Sequence, residues 1–209
     1  MNIFSYRVRF TKTGRMRFLS HHDLMRLWER ALRRTGLPLR FTEGYNPHPI
    51  LAFPTALALG IESFDEVFEF ELTGWTAPRQ IERLLAAQLP EGMSVLSVEA
   101  FDRKDRSYVD FVEYEALCPG QGGRVPDAIR AFLARAECPV ERVSDKGSRT
   151  IDIRPYVMAL DSEGDRVFLR LRVTDQGTAR PDEVLRALGL SLDETVRIKK
   201  TYTELAVRP

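Results

Sequence analysis

Four arginines, Arg26, Arg30, Arg33 and Arg34, fall at i, i+4, i+7 and i+8, so any helix carrying them presents them along one stripe. Such a stripe can meet phosphate oxygens, or it can be a solvated face paired with nearby carboxylates. Two features favour the first use. The helical stretch itself offers only Glu29 as an interior acid, and the preceding segment adds Arg7, Arg9, Lys12, Arg15 and Arg17. Residues 1–49 carry ten Lys/Arg, Arg40 included, against Asp23, Glu29 and Glu43, a formal balance of +7. That concentration is the footprint of phosphate contacts.

The loop GYNPHP follows, with His48 between Pro47 and Pro49 and beside Tyr45 and Asn46. Each proline restricts the residue before it, so the loop holds a phenol, an amide and an imidazole on a stiff support. A base stacked on Tyr45 would gain about 1–3 kcal/mol; a turn packed on a helix end is the bland alternative. His21 and His22 occupy a first helical turn, where adjacent side chains point about 100° apart and cannot readily chelate one metal. No metal is expected there. As an acid/base pair for metal-free RNA cleavage with Tyr45, His21 and His22 are the weak catalytic candidate. Farther along, the Lys146-Gly147 turn and Arg154 offer a second phosphate contact, or else a hairpin turn with a paired Asp152–Arg154 strand face.

These residues need elements to position them. Ser20 and Asp23 cap a helix over 21–35, which Gly36 and Pro38 end. Leu24, Leu27, Trp28 and Ala31 form its apolar stripe. Before it, Ile3–Thr11 reads as a strand with Tyr6, Val8 and Phe10 on one side and Arg7 and Arg9 on the other, and Arg15–Leu19 extends it. Ile50–Leu59 reads as a strand interrupted at Pro54. Glu66–Leu72 reads as the clearest strand, with Val67, Phe68, Phe70 and Leu72 set against Glu66, Glu69 and Glu71. Pro78–Leu89 is a helix and Met93–Ala100 a strand. The order recurs as a strand over Tyr108–Leu117, a helix over Asp127–Ala136 with Ile129, Phe132 and Leu133 inward, a hairpin of Thr150–Leu160 with Arg166–Val173, a helix over Pro181–Leu188 and a strand over Val196–Leu205. The expected fold is α+β, two tandem ferredoxin-like (split βαβ) units over 1–101 and 108–209, with the charged stretch Phe101–Ser107 as the boundary.

The chain has 209 residues, 44% hydrophobic and 29% charged, with net charge +1, so any affinity for polyanions must come from asymmetry. The asymmetry exists: from Glu62 to Glu115 thirteen acids face five bases. No apolar run approaches the roughly 20 residues of a membrane span, and MNIFSYRVRFTKTGR lacks a signal-peptide core. Cys118 and Cys138 have no CxxC spacing, so a reduced, cytoplasmic setting is expected, with no membrane partner. GxxxxGK[ST], GxGxxG and GxSxG are missing, as is the CxxxCxxC that would ligate an iron–sulfur cluster, so no cofactor of its own is expected.

The run RxRFxSHxDLxRxxxRAxRRxGLPxxxxxGxNPxP, then Gly60-Ile61-Glu62-Ser63, then K-G-x-x-x-x-D-x-R-P over 146–155 and RPDEVL over 180–185, resembles the radical-SAM-linked proteins. Those occur as free chains or as C-terminal extensions of radical S-adenosylmethionine enzymes. The resemblance spans nearly the whole chain and implies such an enzyme as partner, with no reaction attached. His22 stands where a leucine is more usual, which turns attention to His21. A weaker, architectural likeness is to repeat-associated RNA-processing proteins. Together these readings give an RNA-binding accessory protein that presents tRNA or ribosomal RNA to a radical S-adenosylmethionine enzyme and is not itself catalytic. Its nucleic-acid contacts would be Arg15, Arg17, His21, Arg26, Arg30, Arg33, Arg34, Tyr45, Asn46, His48, Lys146 and Arg154. Two alternatives stay open: a module docking an acidic protein, and a metal-independent ribonuclease.

Overall fold

The computed structural model describes residues 2–102, 107–144 and 147–207, and within them it is a mixed α+β protein with four α-helices. The chain divides into two compact units, one drawn from Met1–Tyr108 with Leu205–Pro209, the other from Val109–Glu204.

In the first unit, β1 (Phe4–Lys12) lies between β3 (Glu62–Leu72) and β4 (Met93–Phe101), antiparallel to both. A two-residue strand, β2 (Leu51–Ala52), pairs antiparallel with β3, giving the order β2-β3-β1-β4. Helix α1 (His21–Arg34) connects β1 to β2, and α2 (Pro78–Ala86) connects β3 to β4. Period-two alternation places Tyr6, Val8 and Phe10 on the face that meets the helices. The register sets Tyr6 opposite Phe70 and Val8 opposite Phe68. Leu24, Trp28, Ala31 and Leu32 of α1 and Ile81 and Leu85 of α2 close the core over them. The Trp28 ring sits 4.3 Å from Phe68 and 4.8 Å from Phe10. These apolar side chains make the sheet face and the helix stripes mutually necessary.

In the second unit, β5 (Ser107–Leu117) has β9 (Arg166–Thr174) on one side and β11 (Arg197–Val207) on the other. β8 (Val157–Glu163) and the short β10 (Gly177–Thr178) both pair with β9. α3 (Val125–Leu133) and α4 (Pro181–Ala187) bury Ile129, Phe132, Val184 and Leu185, and the strands bury Val112, Leu169 and Leu171. A separate hairpin, β6 (Pro139–Ser144) with β7 (Gly147–Asp152), lies in sequence between α3 and β8.

Several expectations need correction. Arg15–Leu19 is no strand: Gly14 takes φ 58° and the chain turns into a 3-10 helix over Gly14–Phe18. Ile50–Leu59 keeps only Leu51–Ala52 as strand, ahead of Pro54, which has no N–H to give a ladder. Thr150–Leu160 is two strands separated by a 3-10 turn at Arg154–Tyr156; β8 makes the expected hairpin with β9, whereas β7 pairs with β6. Leu133 is an exposed side chain at the end of α3. In β3, strand parity puts Glu66 opposite Phe10 on the apolar side and Val67 opposite Arg9 on the charged side.

Candidate nucleic-acid interface

α1 starts where expected. The Ser20 hydroxyl oxygen accepts the Asp23 N–H at 3.2 Å while the hydroxyl donates to the Asp23 carboxylate at 2.7 Å, satisfying an otherwise orphaned donor. At the far end Gly36 takes φ 69°, the left-handed conformation that terminates a helix. Between these limits the apolar stripe faces the core, and the arginine stripe therefore faces out.

The stripe is only lightly engaged by its own protein. Arg26 is 73% exposed, and its nearest acid, Asp23, lies 3.9 Å away. Arg30 is exposed and takes no hydrogen bond or ion pair among the described residues. Arg33 donates to the Pro47 carbonyl at 3.1 Å with its guanidinium 4.9 Å over the Phe41 ring. Arg34 donates to the side-chain and backbone oxygens of Gln88 at 2.9 and 3.0 Å. Arg33 and Arg34 are exposed, and their bonds are to neutral acceptors, so their charge is not cancelled. Arg15 is exposed as well; Arg17 lies 3.8 Å from Glu62 and 4.7 Å over the exposed Phe18 ring.

The other cations of the opening segment turn inward. Arg7 donates through Nε and Nη2 to Glu69 at 3.1 and 2.8 Å, and through Nη1 to Glu99 at 2.7 Å. Arg9 meets Asp65 at 2.6 Å, and Arg40 meets Glu71 at 2.5 Å. Lys12, only 1% exposed, donates to the Leu19 carbonyl at 2.9 Å; burial lowers its pKa, and the nearby Glu66 carboxylate opposes that shift. Four of the ten cations behind the +7 balance thus serve the fold.

The GYNPHP loop is closed on itself and docked on α1. The Thr42 N–H donates to the His48 carbonyl at 2.8 Å, the His48 N–H donates to the Thr42 hydroxyl oxygen at 3.1 Å, and Phe41 bridges to Pro49. His48 Nδ1 lies 3.1 Å from the Glu29 carboxylate. With Arg33 holding Pro47, the loop and the helix become one surface. Tyr45 stands fully exposed at its tip, and Asn46 is exposed beside it.

His21 lies elsewhere on that surface. Its half-buried ring meets Phe53 edge-on at 5.5 Å, with His22 at 6.1 Å. Eight residues, about 12 Å of helix rise, separate it from Glu29, where His48 docks. No hydrogen bond joins His21 to Tyr45 among the described residues. Nor do those residues contain a group of three or more His, Cys, Asp or Glu able to hold a metal. None of the described helices is long and apolar enough to cross a membrane.

Lys146 lies outside the described residues. Arg154 spends its guanidinium internally, donating to the carbonyls of Val157 and Leu133 at 3.2 Å each, so it braces the second unit. The expected Asp152–Arg154 side-chain pair does not form. Asp152 Oδ1 instead accepts the backbone N–H of Cys138 and of Arg154. The aromatic partners of the exposed arginines, Phe18 and Phe41, escaped the sequence reading; the dipeptides Arg17-Phe18 and Arg40-Phe41 were the available signal.

Residues 5–181 match the model of a family described as an uncharacterized protein conserved in bacteria (DUF2344). The chain belongs to that family. The match takes in α1, the GYNPHP loop and the whole candidate interface of this DUF2344 chain. Its description names neither an activity nor a partner. No curated protein matches the chain.

Proposed function

We propose that this DUF2344 chain binds structured RNA through the outward stripe of α1 and the docked GYNPHP loop, and presents it to a radical S-adenosylmethionine enzyme. The enzyme partner enters through the sequence resemblance alone. The reading takes the chain as a cytoplasmic protein of two tandem ferredoxin-like units, 1–101 and 108–209. The neighbour orders β2-β3-β1-β4 and β8-β9-β5-β11 support that description of the fold.

One observation carries the RNA reading: the arginines of β1 are paired with acids at 2.6–2.8 Å, whereas those of α1 remain exposed, and among the described residues only Arg26 has an acid near it, Asp23 at 3.9 Å. Six contacts from Arg15, Arg17, Arg26, Arg30, Arg33 and Arg34 would give log K a salt slope on the order of −4 to −5, at roughly 0.7–0.9 per phosphate. Filter binding of transfer or ribosomal RNA across a salt series tests it, and a slope near zero rejects it.

A second reading has its own observation. Arginines stacked on exposed aromatic rings, Arg17 on Phe18 and Arg33 on Phe41, are a composition also enriched at protein interfaces. A gel shift with total RNA discriminates: an acidic partner's docking surface leaves the RNA unshifted. The ribonuclease reading gains no specific contact in its favour, and incubating RNA with wild type and His21→Ala tests it directly.

A further inference from the structure

Trp75 differs from the other tryptophan of the chain. Trp28 is buried in the core, whereas Trp75 is 59% exposed on the connection between β3 and α2. That connection is fastened at both ends. Thr73 donates its N–H and its hydroxyl to the Pro38 carbonyl at 2.8 and 3.1 Å. The Tyr6 hydroxyl accepts the Thr76 N–H and donates to the Thr76 carbonyl, both at 2.9 Å. The indole rests against the rings of Phe4 at 5.7 Å and Tyr6 at 6.0 Å. An exposed indole fixed in this way loses little conformational freedom when something stacks on it.

Beside the ring runs an open groove of about 580 Å³, lined by Thr35, Leu37, Pro38, Gln80 and Leu84 together with Trp75. That volume lies within the range of about 300–1,000 Å³ usual for small-molecule sites. Gln80 and Leu84 are one helical turn apart on the groove wall, and Arg79 and Arg83 occupy the adjacent, exposed face of α2. Among the described residues neither arginine takes a hydrogen bond or an ion pair. A flat apolar ring, a groove with amide and hydroxyl groups in its wall, and two exposed cations on the neighbouring face of α2 are the parts of a single-strand subsite.

We propose that the Trp75 groove takes an unpaired base of single-stranded RNA, stacked on the indole, with Arg79 and Arg83 meeting the flanking phosphates. This rests on the RNA reading above and adds to it a second, separate subsite specific for single strands. The test is intrinsic fluorescence of the full chain during titration with an oligouridylate of about 12 nucleotides, a length suited to single-strand sites. Trp75 emission is quenched on binding, over the constant background of buried Trp28. Trp75→Ala weakens binding about 5- to 150-fold, Trp75→Phe retains it, and Arg79→Gln with Arg83→Gln flattens the salt slope by about 1.4. Arg30→Gln with Arg33→Gln, measured in parallel with structured RNA, reports on the α1 surface alone. Oligouridylate bound equally well by wild type and Trp75→Ala overturns the groove, and leaves the α1 reading standing if the α1 variant loses structured RNA. Structured RNA bound with no quenching by oligouridylate has the same consequence. A protein that binds neither RNA overturns both readings, and quenching by a proline-rich peptide with no response to RNA makes the groove a protein site. Should Trp75→Ala fail to fold, Trp75→Phe and the α2 arginine pair carry the test.

Discussion

The arginines of β1 and those of α1 have the same chemistry, and opposite surroundings. Arg7 is nearly buried, with forked bonds to Glu69 and a further bond to Glu99. Arg30, one helix later, stands in solvent with no acid against it. A net-charge tally weights the two equally. Strand β1 must place every second side chain toward the acid-rich β3 and β4, so its arginines neutralise carboxylates of their own unit. α1 turns its arginines to the side opposite its apolar stripe, where the acid near them among the described residues is Asp23 of α1 itself, 3.9 Å from Arg26. What separates a structural from an available cation is thus the parity of the element it sits on.

The comparison breaks most sharply at Arg7. Arg7→Ala leaves Glu69 charged and buried, which costs about 3–5 kcal/mol of stability in urea unfolding. Replacing both partners, Arg7→Leu with Glu69→Leu, restores most of that loss, because a buried pair and a well-packed apolar pair differ little. If Arg7→Ala costs no more than Arg30→Ala, the division between inward and outward arginines is wrong.

The second unit provides an independent instance of an inward arginine. Arg142 on β6 donates to both carboxylate oxygens of Glu183 at 2.6 and 2.7 Å and to the Thr178 carbonyl at 2.7 Å, tying the β6–β7 hairpin to α4. Burial pushes the Glu183 carboxyl up, but the guanidinium, the Arg180 N–H and the nearby positive charges together hold it below its ordinary value. A carboxyl depressed in the folded state stabilises above its unfolded pKa of about 4.3. That contribution is present at neutral pH and is lost as pH falls through the lower folded value. Arg142→Ala costs about 3 kcal/mol at pH 7, and its deficit shrinks in acid. Chemical unfolding at pH 7 and pH 3 measures both.

How much of this was legible follows from range. α1 could be read almost entirely, because its cap, its stripe and its Gly36 stop depend on residues within a few positions of one another; Leu32, buried in the same core, was missed. The Arg7–Glu69 pair could not: it depends on a register joining residues 62 apart, and single-strand alternation says only that Arg7 and Phe10 point oppositely. Glu66 is a different case: strand parity alone puts it, not Val67, on the face of Phe68 and Phe70, and the apolar Val67 beside them hides that EVFEFEL does not alternate strictly. In the candidate site, the loop chemistry of Tyr45, Asn46 and His48 was visible as types and spacing. The docking of that loop on Glu29 and Arg33 was not, since nothing local to GYNPHP specifies where it lands.

On the outward side stability and binding separate. Changing Arg26, Arg30, Arg33 and Arg34 together to Gln alters stability by no more than about 0.5 kcal/mol per site, as exposed positions do. The same variant lowers the salt slope of RNA binding by about 3, at roughly 0.7–0.9 per contact. Urea unfolding and filter binding on one preparation give both numbers. A variant that loses stability without losing slope assigns these arginines to the fold and merges them with those of β1.

The smallest effect belongs to the contact that joins the two candidate parts. His48 is an exposed ring and Glu29 is only partly covered, so the pair contributes about 0.2–1 kcal/mol at most. Global unfolding therefore barely registers Glu29→Gln. The local consequence is larger in kind, because Arg33 to Pro47 is then the remaining side-chain tie between loop and helix. Amide exchange of the His48 N–H, which is bonded to Thr42 within the loop, separates two cases. If the loop is stiff by its own closure and its prolines, exchange there is unchanged in Glu29→Gln while RNA affinity falls slightly, since only the aim of Tyr45 has been relaxed. If exchange accelerates, docking on α1 is what shapes the loop, and the interface is a single element rather than two that happen to touch.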